Sequence, residues 1–163
     1  MKNLLFILLF ASFSIFSQEM NIHTLDKIIK EKADTLQVKG NSWHFTIKNR
    51  VLICIADKKA NRMRIISPIA KKEQLTKELI TNSLIANFHT ALDVKYAISD
   101  DILWSVFTHP LKELSTHQVK DAILQVYNAN ITFGTIFSST SLTFPASTKK
   151  SIQKEEILLD KKI

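Results

Sequence analysis

Between Ser42 and Ile66 the chain carries three apolar runs in succession, separated by gaps too short to hold a helix. Trp43, Phe45 and Ile47 alternate with Ser42, His44 and Thr46, the period-two pattern of a half-buried strand. A second strand is expected from Val51 to Ala56, with Asp57-Lys58-Lys59-Ala60-Asn61 as its turn. A third is expected from Arg62 to Ile66, ended by Pro68. Parallel neighbours need a crossover of about a dozen residues or more, so short joints force these strands to run antiparallel. The rest of the chain has to fold around that meander.

On its N-terminal side, Thr24 is placed to cap a helix whose apolar residues fall at Leu25, Ile28, Ile29 and Leu36. Gly40 is expected to end the connection that follows. On the C-terminal side, Lys72 to Phe88 contains neither Gly nor Pro, and Leu75, Leu79, Ile80, Leu84 and Phe88 predict a helix with one apolar face. Val94, Tyr96 and Ile98 then alternate, Ser99-Asp100-Asp101 forms a turn, and Ile102 to Phe107 returns as a strand closed by Pro110. Ser115 and Gln118 make a capping box for a last helix with stripe Val119, Ala122, Ile123, Val126, Asn130, Phe133 and Phe137. Gly134 is expected to weaken its final turn by about 1 kcal/mol relative to Ala. The predicted order is α-βββ-α-ββ-α without internal repeats, an α+β domain with an antiparallel sheet packed with helices.

The two ends read differently. Met1-Lys2-Asn3 is a short basic start, and the apolar run from Leu4 to Ile15 is too short to span ~30 Å of hydrocarbon. It fits the core of a secretory signal, with small Ser17 before Gln18 at the cut. We therefore divide the chain into a signal peptide at 1–17, a domain at 18–144 and a mobile C-terminal tail at 145–163. The expected address is exported, in the periplasm or outside the cell, with no stable membrane span once the signal is cut. Loss of Lys2 takes the formal charge from +7 to +6. The remaining lysines are scattered rather than arranged in a stripe interleaved with aromatics, which argues against a nucleic-acid partner. Cys54 is the only cysteine, so no intramolecular disulfide forms; its apolar neighbours predict a buried, inert thiol.

Catalytic patterns are scarce. With only Gly40 and Gly134, the chain has no Gly-rich phosphate loop and no G-x-S-x-G elbow. His23, His44, His89, His109 and His117 form no close-spaced zinc motif. Asp100-Asp101 reads as a hairpin tip, and Ser138-Ser139 as a polar connection. A hydrolase would need His89, His109 and an acid to converge. No catalytic residue, metal ligand or cofactor is assigned, and the expected protein is not an enzyme.

A binding role has more support. Strand 102–107 is apolar on both faces, with Ile102, Trp104 and Val106 on one and Leu103 and Phe107 on the other; strand 51–56 is similar. A sheet with one wet face should show polar residues at alternate positions. Burial of the second face is therefore implied, by helices of the chain, by a protein or peptide client, or by a second copy in a homodimer. Arg62 and Arg64 share a face of their strand, where two guanidiniums can grip a carboxylate or phosphate. The candidate partner-binding residues are Arg62, Arg64, Trp104 and Phe107.

Asn61-Arg62-Met63-Arg64-Ile65-Ile66-Ser67-Pro68-Ile69, Ala86-Asn87-Phe88-His89 and Ala91-Leu92-Asp93-Val94-Lys95-Tyr96-Ala97-Ile98 resemble YbjN-type domains. So do Trp104, the His109-Pro110-Leu111 bend and Thr132-Phe133-Gly134-Thr135. Such domains are similar in fold to type III secretion chaperones of the CesT/Tir-chaperone class. The resemblance covers about Leu25 to Ser139. It implies a non-enzymatic protein with chaperone-like or regulatory binding, and a signal peptide sets this chain apart from the cytoplasmic secretion chaperones. A self-assembling structural protein of the envelope is the alternative reading.

Overall fold

The computed structural model describes residues 19–140; the expected signal peptide at 1–17 and the expected mobile tail at 145–163 lie outside the described residues. Helix α1 spans Ile22–Lys32 and buries Leu25, Ile28 and Ile29. Its cap is Asn21, whose side chain accepts from the Thr24 amide at 3.0 Å, three residues before the expected position of the helix start. The helix stops at Lys32, and Leu36 belongs instead to a strand, β1, Thr35–Lys39. Leu36 lies opposite Phe45 and Val38 opposite Trp43, so the two apolar side chains share a strand face rather than a helical stripe.

The sheet continues with β2 (Ser42–Ile47), β3 (Arg50–Asp57) and β4 (Arg62–Lys71). A 3-10 turn at Lys72–Gln74 leads to α2 (Lys77–His89), capped by Thr76. Strands β5 (Lys95–Ser99) and β6 (Ile102–His109) and helix α3 (Thr116–Thr132) complete the chain. The six strands are antiparallel throughout, in the order β1-β2-β3-β4-β6-β5. The expected α+β class is thus observed, with one strand more than the sequence pattern counted.

Pro68 does not end its strand. β4 runs on to Lys71, and its register against β6 shifts between Pro68 and Ala70. A proline lacks the N–H of a ladder bond, so a central strand tolerates it where the ladder is already irregular. Scarce glycine also shapes the turns. Lys48 and Asn49 join β2 to β3, and Asp100 and Asp101 join β5 to β6, all four with φ between +44° and +67°. Two-residue hairpins of the twist-compatible kind need positive φ at both positions, which is why short polar side chains stand at three of the four. Gly134, at φ +81°, lies just past the α3 cap residue Phe133 and ends the helix rather than weakening it. Phe133 and Phe137 leave the helical stripe there and pack with Tyr96, ring centroids 5.2–6.2 Å apart.

Helices α1 and α3 pack on each other, α1 on β2, and α3 on β3, β4 and β6. The core between them is apolar and pinned by a few hydrogen bonds. Trp43 Nε1 donates to Asp26 at 2.9 Å; together with the Lys30 ammonium at 2.7 Å, which has the larger effect, this holds the Asp26 carboxyl below its usual range. Ser105 Oγ donates to the Val126 carbonyl at 3.0 Å, possible only because a small residue lets the helix backbone approach. Asn130 Nδ2 donates to Ser67 Oγ and the Pro68 carbonyl, both at 2.7 Å, and Ser67 Oγ passes its own proton to the Val51 carbonyl at 2.6 Å. The Asn130 amide oxygen is buried and has no partner among the described residues. Asn130→Ala removes two short bonds but also that unsatisfied oxygen. The expected loss is ~1–2 kcal/mol, at the modest end for a buried donor, read as a lower urea midpoint at unchanged slope.

Candidate functional site

Alternation along the strands gives the sheet two unlike faces. The side under the helices holds Trp43, Phe45, Leu52, Cys54, Met63, Ile65, Leu103 and Phe107, all buried. The intervening residues point the other way, and no described helix packs over them. β1 and β2 present polar side chains there: Thr35, Gln37, Ser42, His44 and Thr46. The centre is different. Val51 and Ile55 are 45% and 47% exposed, and Ile53, Ile66, Pro68, Trp104 and Val106 are half-buried. Register joins them into one patch, with Ile53 opposite Ile66, Ile66 opposite Val106 and Pro68 opposite Trp104. The doubly apolar strands noted in the sequence therefore lie at the middle of an uncovered face.

Three of the four candidate residues meet on this face. Arg62 and Arg64 stand on β4, with Arg64 opposite both Ile55 and Thr108. Arg64 Nε donates to Thr108 Oγ1 at 3.3 Å, and Arg62 Nη1 to the Asn61 carbonyl at 3.1 Å. Trp104 lies nearer β5, its indole N–H held by the Ser99 carbonyl at 3.1 Å. Phe107 does not belong with them. An odd separation from Trp104 puts it on the helix side, 5% exposed and stacked on His109, so it supports the core instead of a contact surface.

The sheet edges also differ. Asn87, near the end of α2, donates to the Tyr96 carbonyl at 3.1 Å and accepts from the Tyr96 amide at 2.7 Å. Its side-chain amide thereby stands in for a neighbouring strand and blunts the β5 edge, whereas β1 has no such partner on its outer side among the described residues. Sequence reading missed this edge, although Leu36 and Val38 alternate with Thr35, Gln37 and Lys39 as a strand should.

Helix α2 departs from its expected single apolar face. Ser83 and Ala86 are its buried residues, while Leu84, Ile85 and Phe88 are 62%, 53% and 86% exposed. A helix apolar on two sides is ordinarily covered on both.

The residues weighed for chemistry do not assemble. His89 packs edge-on against Phe88, whereas His109 Nδ1 sits 2.8 Å from the Pro110 carbonyl, so the two histidines make separate contacts. Asp93 and Asp121 are both engaged by the Gln125 amide, at 3.1 and 2.8 Å. Asp100 and Asp101 form the β5–β6 turn, and Asp101 accepts from Lys72 at 3.4 Å. Ser138 and Ser139 are buried, with Ser138 Oγ donating to the Thr140 carbonyl and Ser139 Oγ to Gln125. They tie the segment after α3 down rather than offering a nucleophile. Among the described residues no group of three or more His, Cys, Asp and Glu is placed to hold a metal ion, and no helix is long and apolar enough to cross a membrane.

Cys54 lies in the helix-side core, its pKa pushed up to about 12 by burial. A thiolate is the reactive form, so iodoacetamide near neutral pH should leave Cys54 untouched in the native protein and label it after urea unfolding, as intact-mass measurement would show.

No protein-family model matches this sequence, and no curated protein matches it. Several solved chains share the architecture, among them the following two. One, a chain of the HopA1–SchA chaperone–effector complex, superposes with a TM-score of 0.54 at 12% identity, over 68% of this chain and 90% of that one. The other comes from the Yersinia pestis type III secretion chaperone SycH in complex with a stable fragment of YscM2; its TM-score is 0.52 at 12% identity, over 69% of this chain and 98% of that one. At such identity the likeness speaks for the fold. The chain has the α+β fold of type III secretion chaperones, as its residue patterns implied.

Proposed function

We propose that this chain is an exported, non-enzymatic protein-binding module, chaperone-like or regulatory, that holds a protein client against the open face of its sheet. The observation that carries the reading is the apolar patch of Val51, Ile53, Ile55, Ile66 and Val106, which no helix among the described residues covers. Both structural neighbours come from complexes in which a chaperone holds another protein. The residue resemblance to YbjN-type domains points to the same theme, and the apolar start of the sequence supports export. Fold alone does not set activity, so the argument rests on the face.

The test is capture from an envelope extract with tagged protein spanning residues 18–163, alongside an Ile55→Glu variant. Ile55 is 47% exposed, so the change leaves the core intact. A partner recovered in near-equal amount by the native chain and reduced by about tenfold or more with Ile55→Glu is the expected result, since a buried unpaired carboxylate costs several kcal/mol at an apolar contact. Equal recovery by both proteins would sink the assignment of this face. Mass measurement of the protein purified from its own cells should find Gln18 as the first residue; an intact leader would contradict export by cleavage.

A second reading, self-assembly, is favoured by α2. Leu84, Ile85 and Phe88 project together from a helix that otherwise packs chiefly on β5. On this reading light scattering finds a mass that rises toward a dimer with concentration, and Phe88→Glu returns it to the monomer. A constant monomer mass would remove self-assembly through α2.

A further inference from the structure

The five ion pairs found among the described residues all use lysine: Lys30, Lys71, Lys72, Lys112 and Lys120. Among the described residues Arg62 and Arg64 have no carboxylate partner, although they stand at the β3–β4 end of the apolar patch. Each makes one hydrogen bond through a single nitrogen, to the Asn61 carbonyl and to Thr108 Oγ1 respectively, which leaves most of their donors free. Asp57 stands beside them, opposite Arg62, but its Oδ1 accepts from the Lys59 and Ala60 amides at 2.8 and 2.9 Å and closes the β3–β4 turn. Arg62, Arg64 and Asp57, with Ile55, Met63 and Thr108, thus line a shallow hollow of about 390 Å³ that opens onto the apolar face, where two guanidiniums outnumber one carboxylate.

Past the far end of β4 and on β5 the lysines are engaged. Lys72 is paired with Asp101 and Lys71 with Glu73. Lys95 Nζ, on β5, donates to the Asn87 and Leu92 carbonyls. The face is therefore apolar in its middle, with two guanidiniums on β4 at its β3–β4 end that no carboxylate among the described residues engages.

From this we propose that the client segment is an acid-terminated apolar peptide, extended over Ile53 and Ile55 with an Asp or Glu carboxylate seated between Arg62 and Arg64. The proposal rests on the sheet-face reading and adds its direction and chemistry. Side chains along β3 repeat on one face every ~6.6 Å, the spacing at which an extended peptide presents alternate residues. Charge-assisted forks from arginine to carboxylate supply orientation as well as affinity, because a reversed peptide would carry its acid away from both guanidiniums. A bare phosphate or other small anion would use the hollow and leave the apolar row uncovered, which is why a polypeptide is the better occupant.

The experiment is a fluorescence-anisotropy titration of the domain with a labelled, capped peptide alternating Leu and Ser and ending in Glu-Glu, against its Gln-Gln counterpart. The Glu peptide should bind about tenfold more tightly at low salt. That preference should vanish in the exposed double variant Arg62→Gln/Arg64→Gln and shrink at ~0.5 M salt. Both peptides should weaken with Ile55→Glu. Equal binding of the two peptides, still abolished by Ile55→Glu, overturns the acid requirement while leaving the sheet face as the client surface. Binding of neither overturns both. A protein that is dimeric by light scattering and becomes monomeric in the arginine double variant assigns the face to a second copy, which also overturns the proposal.

Discussion

Asn130 reaches from α3 into the sheet where β4 shifts register against β6, and its amide donors and the Ser67 hydroxyl all find acceptors there. Its amide N–H group serves Ser67 and Pro68, and Ser67 in turn serves Val51, so a helix and two strands are joined by one short relay. A buried polar group is costly when unpaired, which makes this relay sensitive to register: a slip of β4 by one residue would bury a bulky side chain in place of Ser67. With the relay in place, Ser105 falls under the Val126 carbonyl and Tyr96 reaches the Ala129 carbonyl at 2.9 Å. The position of α3 then decides which side of the sheet is covered.

That one-sided layering explains why apolar residues remain on the far side. α1 and α3 pack on each other and on strands β2, β3, β4 and β6, while α2 packs chiefly on β5. β1 and β2 meet water with threonine, serine, histidine and glutamine, as an exposed face should. β3, β4 and β6 do not. The change from polar to apolar across a single sheet, without any change in strand type, separates the part that only closes the fold from the part suited to contact another chain.

Much of this was legible in the residues. The alternation at Trp43, Phe45 and Ile47 predicted both the strand and its buried side, and the capping box at Ser115 and Gln118 is present with both of its bonds, at 3.2 and 2.8 Å. Other features depend on partners distant in sequence. Leu36 fits a helical stripe from Leu25 as well as a strand, and only its place opposite Phe45 decides between them. Pro68 looks like a stop until the β6 register shows where the ladder shifts. Periodicity located α2 but could not say which of its apolar sides would pack, because that depends on Asn87 meeting the edge of β5. For the site, the shared face of Arg62 and Arg64 follows from their spacing. That no carboxylate among the described residues engages them is a fact of three dimensions.

The connection between β4 and β6 has a further consequence. These strands pair directly at the centre of the sheet, yet α2 and β5 are both inserted between them in the chain. The insertion is fastened at its own end of the molecule: Asn87 to Tyr96, Thr90 to the Phe137 carbonyl, Tyr96 to α3. It behaves as a cassette carried on a frame. The outer side of α2 can therefore be lengthened, recharged or repacked without disturbing the β3–β4–β6 centre, and the two surfaces are free to change independently of each other.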